Sequence, residues 1–154
     1  MSEKNSVLFV CLGNICRSPA AEGVFRHVVA EAGREGDFEI DSAGTGSWHV
    51  GNPADKRMRA AAQRRGYALD SIARQLVSDD FERFDLILAM DDDNLRNVTA
   101  LGNGNGRARV VLMREFCEQH GPGEVPDPYF GGDEGFEEVL DILEDACRGL
   151  LRHL

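Results

Sequence analysis

Val7-Leu8-Phe9-Val10-Cys11-Leu12-Gly13-Asn14-Ile15-Cys16-Arg17-Ser18-Pro19 passes from an apolar strand through a short loop into a helix start. Val7 to Val10 has the composition of a buried strand. Ser18 is placed to cap the helix with Pro19 at its first position, where a missing N–H is no loss. Between strand and helix stand Cys11 and Arg17, separated by Leu12, Gly13, Asn14, Ile15 and Cys16. That length lets the backbone curl around a tetrahedral anion, its N–H groups turned inward and the positive end of the helix dipole behind it. Cys11 is then expected beneath the anion as a thiolate, stabilised by those amides and by the Arg17 guanidinium, whose planar fork grips two phosphate oxygens. Gly13 is expected to take a positive φ and let the main chain approach the ligand. Asn14 belongs to the few side chains that tolerate a left-handed conformation. The Ser18 hydroxyl is also a candidate donor to the sulfur.

Outward from this loop, strand and helix signals alternate, which predicts one domain over residues 1–154 of α/β class, a four-stranded parallel sheet flanked by helices. The strands are expected at Val7 to Val10, Phe38 to Asp41, Asp85 to Met90 and Ala108 to Met113. Ala20, Val24, Phe25, Val28 and Val29 recur at helical spacing. Asn52-Pro53 reads as the start of a helix that Gly66 ends, Asn94 to Leu101 as a short helix, and Glu134 to Leu154 as the closing one. Leu101 to Gly106 is too rich in glycine to be regular. In sheets of this kind ligands bind beyond the carboxyl ends of the strands, where Cys11, Ser42 and Asp91 all fall.

VCLGNICRSP resembles the signature loop of the low molecular weight protein tyrosine phosphatases, and the resemblance extends to DSAGT (41–45), AMDDDN (89–94) and VPDPYFGG (125–132). It implies hydrolysis of protein phosphotyrosine through a cysteinyl-phosphate, with no cofactor. A phenol leaves with a pKa near 10, so its departure near neutral pH is helped by a proton donor. Asp127, restricted between Pro126 and Pro128, is the outstanding candidate and matches the family's general acid. Trp48 and Tyr129 are the aromatics best placed to wall a pocket for a flat ring, and the resemblance assigns them that role. Many relatives carry a second tyrosine where this chain has Phe130. The family pattern makes Asn14 and Ser42 a hydrogen-bonded support for the loop, with Asp91 as a further support.

Three rival readings share parts of this design. Arginine phosphatases of the same fold commonly place threonine where this chain has Ile15, which offers no hydroxyl to a guanidinium. Arsenate reductases relay electrons through extra cysteines, and Leu76 to Met90 has none. A non-catalytic phosphotyrosine reader, or a phosphocarrier, would need the loop but not Asp127.

Composition narrows the partners. Among 154 residues, 27 acidic side chains against 17 Lys and Arg leave a formal net charge of −10, so an extended phosphate backbone is repelled and nucleic acid is not expected. No apolar run approaches a signal core or a membrane span, so a cytoplasmic protein without membrane contact is expected. It is expected to be monomeric with at most weak self-association. Cysteines at 11, 16, 117 and 147 lack the paired spacing of a zinc site, His27, His49, His120 and His153 show no ligand spacing, and no metal is expected. Asp91-Asp92-Asp93 lacks calcium-loop spacing and is expected to cap the following helix. Cys16 is close enough to Cys11 for a reversible regulatory disulfide, while Cys117 and Cys147 are expected to pack inside without chemistry.

Overall fold

The computed structural model describes residues 4–154. Four parallel strands, β1 (Asn5–Cys11), β2 (Phe38–Gly44), β3 (Leu86–Ala89) and β4 (Arg109–Leu112), form one sheet in the order β2-β1-β3-β4. The helices are α1 (Arg17–Glu31), α2 (Lys56–Arg64), the single turn α3 (Asp80–Arg83), α4 (Asp92–Gly102) and α5 (Asp133–His153). Register places Phe9 between Ser42 on one side and Leu88 on the other, so β1 is an inner strand of the sheet.

An almost continuous apolar run suits a strand covered on both faces, because alternate side chains point to opposite sides. Val7, Phe9 and Cys11 pack in a layer with Val24 and Phe25 of α1 and Phe136, Leu140 and Leu143 of α5. Leu8 and Val10 face the other layer, with Phe81, Phe84, Ile87 and Val98. The strand order reverses direction between β1 and β3, which opens a crevice at their carboxyl ends. Cys11 and the residues after Ala89 border that crevice.

Several local expectations are corrected. Helix α1 begins at Arg17 with Cys16 in the capping position and no side-chain cap, so Ser18 lies inside the first turn and its hydroxyl is turned elsewhere. Helix α2 begins at Lys56, capped by Asp55, whose carboxylate accepts from the Arg57 and Met58 amides. Asn52-Pro53 precedes it, with Pro53 in a bridge to Ile72. Gly66 ends that helix at φ 88°, a left-handed conformation that favours glycine. Helix α4 starts at Asp92, two residues before the expected Asn94, because Asp91 caps it by accepting from the Asn94 amide at 2.7 Å. The third and fourth strands are shorter than expected; the Asp85 carboxylate bonds Ser6 instead of leading the strand. Among the described residues no helix is long and apolar enough to cross a membrane.

Candidate active site

The loop between β1 and α1 is held open by Asn14, which sits at φ 57°. The left-handed residue is therefore Asn14 and not Gly13, whose φ is not positive. Gly13 matters for space: a Cβ there would lie 2.9 Å from Cδ2 of His49. At the neighbouring strand end, a Cβ on Gly44 would lie 2.8 Å from the Leu12 carbonyl oxygen, so β2 admits only glycine beside the loop.

Asn14 also organises the polar interior. Its Oδ1 accepts the Arg74 amide at 3.0 Å, which fixes the orientation of the side-chain amide, and its Nδ2 donates to Ser18 Oγ at 2.7 Å and Ser42 Oγ at 3.0 Å. Ser42 donates onward to Glu22 Oε1 at 2.6 Å. Ser18 Oγ lies 3.0 Å from Cys11 Sγ and 3.4 Å from the Ala43 carbonyl, so when the sulfur is a thiolate the Ser18 proton has the sulfur as its nearer acceptor. The Asn14 amide donates to the same sulfur at 3.3 Å. The sulfur of a cysteine that is 3% exposed thus has a hydroxyl and a backbone amide aimed at it.

Arg17 is almost wholly buried, and its partners explain how. Nη1 donates to Asp91 Oδ2 at 2.6 Å and to the Val125 carbonyl at 3.1 Å, while Nη2 lies 3.6 Å from Asp127 Oδ2. Burial alone would disfavour the charge, but Cys11, Asp91 and Asp127 outweigh it and hold the guanidinium firmly protonated. Asp91 therefore uses one oxygen to cap α4 and the other to anchor Arg17. Burial, then Asp55 and Cys11, push the Cys16 thiol far above its ordinary range, so it stays protonated.

Asp127 enters from the segment before α5. Its Oδ1 accepts the Tyr129 amide at 3.1 Å in a tight local turn, and the side chain is 42% exposed. Arg57 steadies the same turn by donating to the Tyr129 carbonyl at 2.9 Å, with its guanidinium 5.4 Å from the Tyr129 ring centre. Together these residues enclose a cavity of about 230 Å³ lined by Cys11, Leu12, Gly13, Ile15, Cys16, Arg17, Trp48, His49, Asp127, Tyr129 and Phe130. Cys11 and Arg17 share this lining with the apolar and aromatic side chains of Leu12, Ile15, Trp48, Tyr129 and Phe130.

A model of the family described as low molecular weight phosphotyrosine protein phosphatase matches residues 6–154. The chain belongs to that family. A low molecular weight phosphotyrosine protein phosphatase of Schizosaccharomyces pombe is 44% identical over 155 residues, covering 100% of this chain and 99% of that one. Among solved structures, a product-state mimic of the Entamoeba histolytica protein tyrosine phosphatase is 47% identical with a TM-score of 0.92, covering 97% of this chain and 94% of that one. A Drosophila arginine phosphatase is similar at 31% identity and a TM-score of 0.90, covering 96% of each chain.

Within this phosphatase family member, the structure gathers Cys11, Leu12, Gly13, Ile15, Cys16, Arg17, Trp48, Asp127 and Tyr129 around the cavity, with Asn14, Ser18, Ser42 and Asp91 behind it. Trp48 is on the rim, 73% exposed, and Phe130 is still more exposed. Three participants escaped the sequence reading. His49 lines the cavity beside Trp48, a place that its lack of ligand spacing does not mark. Glu22 stands one turn beyond Ser18 on α1, an i,i+4 step that puts both on one helix face. Arg74 reaches Asn14 through its backbone, for which no side-chain pattern exists.

Proposed function

We propose that the protein hydrolyses phosphotyrosine in phosphoproteins through a phosphate carried on Cys11. The observation that supports this most is the meeting of Cys11 Sγ, the Arg17 guanidinium and the Asp127 carboxyl in one apolar-walled cavity. The Cys11 thiolate attacks phosphorus in line with the aryl oxygen, and the loop amides and Arg17 neutralise the charge on the non-bridging oxygens. As the P–O bond breaks, Asp127 gives its proton to the leaving phenolate. Asp127 then takes a proton from water, which attacks the phosphocysteine. The S–P bond breaks, inorganic phosphate departs, and the sulfur leaves as an anion stabilised by Ser18 and the Asn14 amide.

Trp48, Tyr129, Leu12 and Ile15 supply apolar walls for the ring, which disfavours the shorter phosphoserine. Ile15 lacks the hydroxyl that would help to receive a guanidinium, so phosphoarginine is the weaker substrate. Oxidation by peroxide would convert Cys11 to a sulfenic acid that condenses with the buried Cys16 thiol, releasing water and closing a reversible disulfide. The chain works in this reading as one monomeric cytoplasmic domain, and its net charge of −10 sets it against nucleic acid.

The deciding experiment compares kcat/KM on phosphotyrosine, phosphoserine and phosphoarginine peptides, for the parent and for Asp127→Ala. The parent is expected to prefer phosphotyrosine, and the variant to lose about 10²- to 10⁴-fold on it. The loss should be smaller for p-nitrophenyl phosphate, whose leaving group needs less protonation. A preference for phosphoarginine, or full activity of the variant on phosphotyrosine, would overturn the proposal.

A further inference from the structure

We propose that Cys117, His120 and Asp145 form a binding site for a zinc-like divalent cation. The site is remote from the phosphate loop and independent of the reaction proposed above. Cys117 and His120 stand three residues apart just after a 3-10 turn, Met113–Phe116, and Asp145 comes from α5 beneath them. The Cys117 sulfur, a His120 ring nitrogen and an Asp145 carboxylate oxygen all lie within 4.8 Å of one another, a spread that one ion can gather. His120 Nδ1 is 2.8 Å from Asp145 Oδ2.

The donor chemistry selects the ion. Thiolate, imidazole and carboxylate make a mixed sulfur, nitrogen and oxygen set that suits zinc and not magnesium or calcium, which prefer oxygen alone. The carboxylate is already aimed. Asp145 Oδ1 accepts the Glu118 amide at 2.9 Å, and Oδ2 accepts the amides of Gln119 at 3.0 Å and His120 at 2.9 Å. Such outer bonds hold a metal ligand in place, and the bonds that have to yield are those from His120 Nδ1 and from the Cys117 thiol, which donates to the Ile142 carbonyl at 3.6 Å. The His120 ring is partly exposed, so Nε2 can carry the remaining proton toward water. The Cys117 thiol loses its proton to solvent on binding, and one thiolate and one carboxylate then balance the two charges of the ion.

A recess of about 290 Å³ opens beside the cluster, lined in part by His120, Asp141, Glu144 and Asp145. Water there can complete a four-coordinate shell. The ion would tie the 3-10 turn to α5, at the foot of the segment that leads to Asp127. No local pattern of residues marks this site, because the third ligand lies 25 residues beyond His120, on a different element.

The test uses full-length protein carrying Cys11→Ser, which removes the competing loop thiolate, and cobalt(II) as the probe in the absence of thiol reductants. One equivalent should produce a sulfur-to-cobalt charge-transfer band that zinc abolishes by displacement. Cys117→Ala should remove the band, and His120→Ala, a change at a partly exposed ring that the fold tolerates, should weaken cobalt binding about tenfold or more. Zinc should raise Tm of the Cys11→Ser protein and leave that of the Cys11→Ser, Cys117→Ala double variant unmoved. Absence of a band, a band surviving in Cys117→Ala, or equal affinity in His120→Ala would overturn the proposal.

Discussion

Ser18 Oγ lies 3.0 Å from Cys11 Sγ, on the strand side of the helix start that the same residue was expected to cap. Asn14 Nδ2 donates to the same hydroxyl, and an ionised sulfur carries no proton to give, so toward the thiolate Ser18 is the donor. A hydrogen bond to a charged group contributes about 1.5–3 kcal/mol, which stabilises the thiolate most in the step where it is the leaving group. Ser18→Ala should therefore slow steady-state turnover roughly ten- to a hundredfold while leaving the first-turnover burst of p-nitrophenol visible. Rapid-quench kinetics on p-nitrophenyl phosphate separate the two steps. An unchanged steady-state rate would show that the hydroxyl does not hold the anion.

Asp91 joins the cap of α4 to the phosphate clamp, and the two jobs can be divided by mutation. Asp91→Asn keeps an oxygen for the Asn94 amide but removes the charge facing Arg17, whereas Asp91→Ala removes both. Breaking a buried ion pair from one side is destabilising by about 3–5 kcal/mol, and Asp127 at 3.6 Å shares part of the burden, so the lower end is expected. Asp91→Ala should lose roughly 1 kcal/mol more than Asp91→Asn, the ordinary value of a cap. Urea unfolding of the three proteins checks the order, and equal stability of the two variants would rule out the capping role.

How much of this was legible beforehand depended on whether a feature is local. The apolar run Val7 to Val10, the five-residue gap between Cys11 and Arg17, and Asp127 between two prolines are contiguous patterns with a direct physical meaning; the run forms the buried strand β1, and Cys11, Arg17 and Asp127 line one cavity at its end. Ser18 shows the limit. Serine before proline is a sound cap signal, yet the left-handed turn at Asn14 brings the sulfur within reach and the hydroxyl goes there instead. Asn52-Pro53 failed as a helix start for a similar reason: Asp55 offers a better acceptor two residues on. Glu22, Arg74 and the Cys117, His120, Asp145 cluster depend on contacts between distant segments, which no window of sequence displays.

The cap of α2 supplies a pH dependence. Burial would push the Asp55 carboxyl up, but Arg57 and the amides of Met58 and Arg57 more than offset it, leaving the group below the usual carboxylate range. A depressed folded pKa adds stability that is complete above the unfolded value, about 3.9, and is lost as pH falls through the folded value. Asp55→Ala should therefore be about 1 kcal/mol less stable than the parent near neutrality, with the gap narrowing on acidification below about pH 4. Paired denaturation curves across that range measure it. A gap that stays constant with pH would mean that the ionised carboxylate is not what holds the helix end.

In the proposed reaction, phosphate passes through the sulfur of Cys11. Protein mixed with an aryl phosphate, quenched within the first turnovers and read by intact-mass spectrometry with peptide mapping tests it directly. One phosphoryl group should appear on the peptide containing Cys11 and be absent from Cys11→Ser. Continued turnover with no adduct at that sulfur, together with full activity after Cys11 has been alkylated, would contradict the account.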